Sequence, residues 1–204
     1  MQLLLVSVII DLISRLTGRY NCVSLGLTIW SAFFLMHSRI YIGSILFCLA
    51  LNYKQMSLYH APPFFFYLLG YALTRKTYYK TLKTLLWLAL IVLATFTVVW
   101  SPFYEQVPAL LNRIFPVYRG LFEDKVANFW CIMDVVFKFK ANYSQERLAL
   151  YSLVLTLICL LPSSIDLLRD PRFPKFRYAL INSSLVFFLF SYHVHEKQIL
   201  LPAL

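Results

Sequence analysis

TLLWLALIVLATFTVVWSPF, Thr84 to Phe103, decides the fold. It holds no charged residue and reaches the roughly 20 apolar residues needed to cross a bilayer. A soluble domain could bury such a run as a core helix, but the rest of the chain has the same character. The 204 residues are 60% hydrophobic and 18% aromatic with only 14% charged, and the mean hydropathy is +0.69. Soluble domains carry about a quarter charged residues. The composition therefore predicts an all-α, polytopic transmembrane helical protein.

On either side of Thr84–Phe103, further apolar runs predict spans at about Leu3 to Leu16, Asn21 to Met36, Ile40 to Leu51, Leu58 to Leu73, Leu148 to Leu168 and Tyr178 to Val194. That makes about seven spans in a single transmembrane region, 1–204. Ile132 to Phe139 is brief and ends in basic residues, which predicts a helix lying in the interface. Pro62, Pro63, Pro102 and Pro162 fall in or at the ends of spans, where broken helices often line cavities.

The net charge is +10, but the cations stand in short blocks between apolar runs. That pattern fixes membrane orientation and is not a nucleic-acid groove. The block Arg75, Lys76, Lys80, Lys83 contains no acidic residue, and Arg169, Arg172, Lys175, Arg177 forms a second block. Placing both in the cytosol sends residues 104–147 to the far side, as a loop with interfacial helices. Alternation then puts Tyr20–Asn21, Tyr53–His60 and His195–Lys197 on that far side as well. Four polar clusters share one face, whereas chance loop residues would scatter over both.

The largest cluster is FPVYRGLFEDKVANFW, Phe115 to Trp130, with Arg119, Glu123, Asp124 and Lys125 close together. Ionisable groups cost several kcal/mol or more in hydrocarbon, so this stretch belongs in water, an interface or a polar cavity. It reads as a working loop or, more plainly, as a surface loop whose charges pair with one another. His195-Glu196-Lys197 directly follows an apolar run, at headgroup depth. A cation and an imidazole there suit the phosphate of a lipid-linked substrate; the plainer reading is a helix end with Lys197 snorkelling beside Glu196. Lys54 is a cation on the far side against the positive-inside tendency, which suggests an anionic partner. His60, beside Pro62-Pro63, fits a capping or packing role as well as a functional one.

Asn142-Tyr143-Ser144 is a glycosylation sequon on the predicted far side, while Asn182-Ser183-Ser184 falls inside a span. Cys22, Cys48, Cys131 and Cys159 show no CxxC pair and no metal-ligand spacing, which predicts packing roles. No GxSxG, P-loop, HExxH or GxGxxG appears, so hydrolase, kinase and zinc-peptidase chemistry has no footing. A leader peptide is not evident, since Met1–Leu16 lacks a basic start and Asp11 and Arg15 interrupt it.

Ala50-Leu51-Asn52-Tyr53-Lys54-Gln55-Met56 with Leu58-Tyr59-His60, then FPVYRGLFEDKVANFWC from Phe115 to Cys131, then Val194-His195-Glu196-Lys197, together resemble the dolichyl-phosphate-glucose-dependent alpha-1,3-glucosyltransferases of N-glycan assembly. GLFEDKVANFWC and NYKQM resemble the branch that adds the first glucose to the lipid-linked nine-mannose oligosaccharide. The sister branch, adding the second glucose, shares the VHEK and FPxxRGL features. The resemblance runs from about Tyr20 to the end of the chain.

It implies a GT-C glycosyltransferase of the endoplasmic reticulum membrane working on the lumenal face. The implied donor is dolichyl-phosphate-glucose and the acceptor a dolichyl-diphosphate oligosaccharide. No metal and no cofactor is required, because phosphate is already a good leaving group and one base suffices. His195 is then expected to face the donor phosphate, with Glu196, Lys197, Arg119 and Lys54 as further substrate-binding candidates. The family's catalytic aspartate lies in a first lumenal loop with no counterpart here, and Asp11, in an apolar run, does not replace it. Where the family carries a GHFQYN-like segment, the chain has Thr17-Gly18-Arg19-Tyr20-Asn21. The expectation is therefore an incomplete GT-C chain with no catalytic residue of its own, inactive alone. The rivals are a non-catalytic membrane protein that binds a polyisoprenoid phosphate and, with less support because no paired halves appear, a solute transporter.

Overall fold

The computed structural model describes residues 19–75, 77–107, 128–192, 194 and 196–203; for 19–21, 140, 141, 196, 197, 200 and 203 it describes the backbone only. Among them there is no strand. The helices are α1 Arg19–Met36, α2 Ile40–Tyr53, α3 Ala61–Leu73, α4 Tyr78–Trp100, α5 Phe129–Phe137, α6 Phe139–Asn142, α7 Gln145–Arg169 and α8 Phe173–Phe190. Short 3-10 segments follow α2 (Gln55–His60), α4 (Ser101–Gln106) and the end of α8 (Glu196–Ala203). The expected span Leu3–Leu16 and most of the Phe115–Trp130 stretch lie outside the described residues.

The helices keep the expected order and differ in their ends. α4 starts six residues before Thr84, and α7 and α8 begin at Gln145 and Phe173. Long basic side chains reach headgroup depth from a helix whose apolar stem stays in lipid, so a helix need not stop where the apolar run does. The expected span Leu58–Leu73 is shortened: residues 55–60 form a 3-10 connector, and α3 starts at Ala61 with Pro62 and Pro63 in its first turn. First-turn N–H groups have no intrahelical partner, so proline costs little there. The α8 helix stops at Phe190 instead of Val194. α4 (23 residues) and α7 (25 residues) are about 35 and 38 Å long, enough to cross a bilayer. α2 and α3, at 14 and 13 residues, fall short of that length.

The chain forms two compact units, residues 1–58 with 71–109, and residues 59–70 with 110–204. In the first, α1 packs on α2 through small residues. The Ser31 hydroxyl donates to the Gly43 carbonyl at 2.6 Å, and Ser24 bonds both Ser57 and the Ala50 carbonyl. α2 and α4 run in the same direction: Tyr41 and Lys83 line one groove near their starts, and Trp100 Nε1 donates to Asn52 Oδ1 near their ends. The alternation of spans requires that parallel arrangement.

In the second unit, α7 and α8 are antiparallel and α3 lies on them. Phe64 and Tyr67 pack on the fully buried Phe176, and Gly70 meets the backbone of Leu167 and Leu168. A Cβ on Gly70 would stand 2.7 Å from the Leu167 carbonyl oxygen, so only glycine permits this approach. Pro162 sits within α7 without breaking it. Where a helix is expected at Ile132–Phe139, α5 runs over Phe129–Phe137. It leaves Ile132, Val135 and Val136 exposed on an apolar face while Trp130 is buried, and Lys138 in the left-handed region (φ 50°) separates it from α6.

Candidate functional site

The site is assembled at the C-terminal end of α8. A helix end leaves its last carbonyls without intrahelical donors, and here the Phe190 carbonyl is supplied from two other helices. Trp130 Nε1 of α5 donates to it at 2.9 Å and the Ser152 hydroxyl of α7 at 2.6 Å. Phe129 packs its ring against Phe190, and Asn128 caps α5 by accepting from the Cys131 N–H at 3.0 Å. Tyr192, just past the helix, donates to Gln145 Oε1 at the start of α7. These bonds fix the point where FEDKVANFW ends against the point where the HEK segment begins.

A third segment joins them through Tyr59. Its phenol donates to Gln198 Oε1 at 2.8 Å, is bonded also by Ser191, and stacks on Phe187 with ring centres 4.8 Å apart. The Ser183 hydroxyl donates to the Tyr59 carbonyl. Burial pushes the Tyr59 phenol above its ordinary pKa, against the opposing pull of Ser191 and Gln198. It stays a protonated donor at cellular pH, a structural tie and not an acid catalyst.

In sequence, residues 195–197 lie between two buried anchors. Val194, 5% exposed, packs on Phe188, and Gln198, 7% exposed, is held by Tyr59. His195 and Arg119 lie outside the described residues, and of Glu196 and Lys197 only the backbone, opening the last 3-10 segment, is described. Lys54 belongs to the first unit, where it terminates α2 with its N–H donating to the Ala50 carbonyl. It is half-buried, next to the Asn52–Trp100 bond.

His60 resolves toward packing. It closes the 3-10 connector, outside the helices and only 5% exposed, and among the described residues its Nδ1 has no hydrogen-bond partner. Burial lowers its pKa to about 4, so it is a neutral ring at cellular pH and not a phosphate-binding cation. The four cysteines are free thiols. Ser183 and Asn182, set aside with the sequon inside a span, turn inward: Asn182 donates to the Ser163 hydroxyl, and Ser183 holds Tyr59.

Sequence reading missed Ser152, Ser183, Ser191 and Gln198. The signal existed for Gln198, adjacent to the HEK motif. The serines carried none, because isolated serines in apolar helices most often bond the preceding turn, as Ser184 does here.

The ALG6, ALG8 glycosyltransferase family model matches residues 2–204. The chain is 47% identical over 186 residues to "Dolichyl pyrophosphate Man9GlcNAc2 alpha-1,3-glucosyltransferase" of Gallus gallus, covering 90% of this chain and 37% of that one. It is 44% identical over 189 residues to "Probable dolichyl pyrophosphate Man9GlcNAc2 alpha-1,3-glucosyltransferase" of Drosophila melanogaster, covering 91% and 40%. The protein of that same name from Schizosaccharomyces pombe is 41% identical over 191 residues, covering 91% and 37%. The chain thus spans 37 to 40% of the length of these relatives. All-α, with two helices of membrane-crossing length among the described residues and matched over nearly its whole length, the chain belongs to the ALG6, ALG8 glycosyltransferase family, a polytopic membrane family of the GT-C type.

Proposed function

We propose that this chain carries the donor-binding part of a glucosyltransferase that moves glucose from dolichyl-phosphate-glucose to a lipid-linked Man9GlcNAc2 oligosaccharide, in an inverting reaction at the lumenal face of the endoplasmic reticulum membrane. What supports the reading is the junction at the end of α8, where Val194 packs on Phe188, Gln198 is held by Tyr59 and Trp130 bonds the Phe190 carbonyl, with residues 195–197 lying between Val194 and Gln198 in sequence. The relatives' names support the acceptor and the linkage. The two basic blocks support the orientation, with α8 running from Arg172 and Lys175 toward the opposite face.

In the reaction the acceptor hydroxyl oxygen bonds the anomeric carbon as the bond from that carbon to the phosphate oxygen breaks. Dolichyl phosphate departs with the electron pair, and the hydroxyl proton passes to a base. Negative charge grows on the phosphate, so cations positioned beforehand lower the barrier. We assign that role to His195, with Lys197 and Arg119 as further cations; Glu196 and Lys54 are the remaining substrate-binding candidates. No residue of this chain is assigned as the base.

The test is glucose transfer from labelled dolichyl-phosphate-glucose in microsomes, with the chain in its full-length context. His195→Ala is expected to lower transfer roughly a hundredfold, as loss of one charge-stabilising donor does, at unchanged protein level. Undiminished transfer would remove His195 from the donor site. Retained binding of dolichyl phosphate with no transfer by the unaltered protein would favour a non-catalytic polyisoprenoid carrier.

A further inference from the structure

The basic block at the start of α4 is more than an orientation signal, because it lines a groove. Arg75, Lys80 and Lys83 surround a cavity of about 590 Å³ in the first unit, floored by Tyr41 of α2 and by Thr84, Trp87 and Ile91 of α4. Among the described residues no carboxylate lines it and none pairs with these three cations. The Arg75 guanidinium is held in place: it lies 4.5 Å over the Tyr71 ring and donates to that ring's hydroxyl. The Thr84 hydroxyl is already engaged by the Lys80 carbonyl, and the charge in the groove comes from the three cations alone.

A second groove of about 270 Å³, lined by Tyr79, Leu82, Leu86 and Leu90, lies on the other flank of the same ridge and shares Lys83 and Trp87 with the first. Two apolar furrows thus descend from one cationic rim. A single-chain polyisoprenyl phosphate would fill one of them, whereas a diacyl lipid fills both. The second basic block has no such character. There Asp166 and Asp170 pair with Lys175 and Arg172, so two of its four cations are neutralised by neighbouring carboxylates.

We propose that the start of α4 binds an anionic glycerophospholipid, its phosphate between Arg75, Lys80 and Lys83 and its two acyl chains on either side of Trp87. Cations at headgroup level attract anionic lipid by simple electrostatics, and Trp87 gives that attraction a shape. The site is independent of the sugar chemistry, since it needs only that α4 lie in a membrane.

The experiment is native mass spectrometry of the full-length protein released from nanodiscs that contain phosphatidylcholine with phosphatidylserine or phosphatidylinositol. One anionic lipid is expected to be retained per chain in preference to phosphatidylcholine. Binding should weaken roughly thirtyfold in Lys80→Ala/Lys83→Ala, and fall also in Trp87→Ala, which keeps every charge. Equal retention of phosphatidylcholine, unchanged retention in the double variant, or a preference for polyisoprenyl phosphate would overturn the proposal. So would displacement of the lipid by inorganic phosphate at like concentration, which would mark a bare anion site. Should the variants fail to fold, a salt titration of the unaltered protein decides: retention must fall as salt rises, and insensitivity to salt refutes the site.

Discussion

The two ends of the α7–α8 hairpin solve the same problem in opposite ways. At one end the chain turns through Asp170–Arg172, and exposed ion pairs hold it: Lys175 lies 2.6 Å from Asp166 and 3.1 Å from Asp170, and Arg172 pairs with Asp170. All partners lie within nine residues of one another. At the other end buried and part-buried hydrogen bonds join segments 38, 60, 124 and 139 residues apart in sequence. Exposed pairs contribute 0 to about 1 kcal/mol, whereas a buried polar group left without its partner costs about 1–3 kcal/mol. The charged end is held by pairs close in sequence. The hydrogen-bonded end holds a geometry, which is what a site requires.

If that contrast is right, damage to the two ends will be unequal. Trp130→Ala removes a side chain only 4% exposed, together with a bond to Phe190, and is expected to cost about 3–5 kcal/mol in detergent unfolding with loss of transfer. Acid should weaken the same end first. His60 is about 4 when folded and 6.5 when free, so the unfolded chain binds the proton first; stability is full above about 6.5 and falls as pH drops toward 4. His60→Leu is expected to flatten that limb of the stability curve.

Gly70→Ala, beside the charged end, forces a Cβ toward the Leu167 carbonyl and should cost about 2 kcal/mol. Gly43→Ala should cost less, because a Cβ there would stand 3.1 Å from the Ser31 carbonyl oxygen and 2.9 Å from the Leu35 side chain, against 2.7 and 2.9 Å from two backbone carbonyls at Gly70. Tyr59→Phe removes the hydrogen bond to Gln198 and is expected to cost about 1 kcal/mol, with a larger loss of transfer than of stability. Asp170→Asn is expected to lower stability least of these, a small loss seen near neutrality and vanishing in strong acid. The Asp170 carboxyl is held below its ordinary 3.8, first by the Arg172 hydrogen bond, so its contribution is present above 3.8 and lost only in stronger acid. The two ends therefore titrate in separate pH windows. Coincident acid transitions in the wild type and His60→Leu would erase the distinction.

Orientation has its own check. Asn142, exposed at the end of α6 with its amide donating to the Phe137 carbonyl, should accept a glycan from the lumenal machinery. Labelling of Asn142 only by a cytosolic probe would reverse the proposed faces.

The helices were legible because hydrophobic runs of lipid-spanning length leave few alternatives, and because the positive blocks order them. Their ends were not, since Gln145, Phe173 and Tyr78 continue helices into water, where composition no longer discriminates. Of the site, the motif residues and Tyr59 stood out in the sequence. The way they are held did not, because a serine at 152 that bonds a carbonyl at 190 looks the same on the page as one that bonds its own preceding turn. Lys54 shows the complementary difficulty: the motif that groups it with Tyr59 is continuous, yet the two residues fall in different compact units.

The most direct measurement is photocrosslinking of the full-length protein in microsomes with a dolichyl-phosphate-glucose analogue bearing a diazirine near the phosphate. Label is expected in the peptide spanning 191–198, and it should be lost in His195→Ala. Label concentrated instead at 166–177, the ion-paired end, would contradict the assignment of the α8 terminus as the donor site.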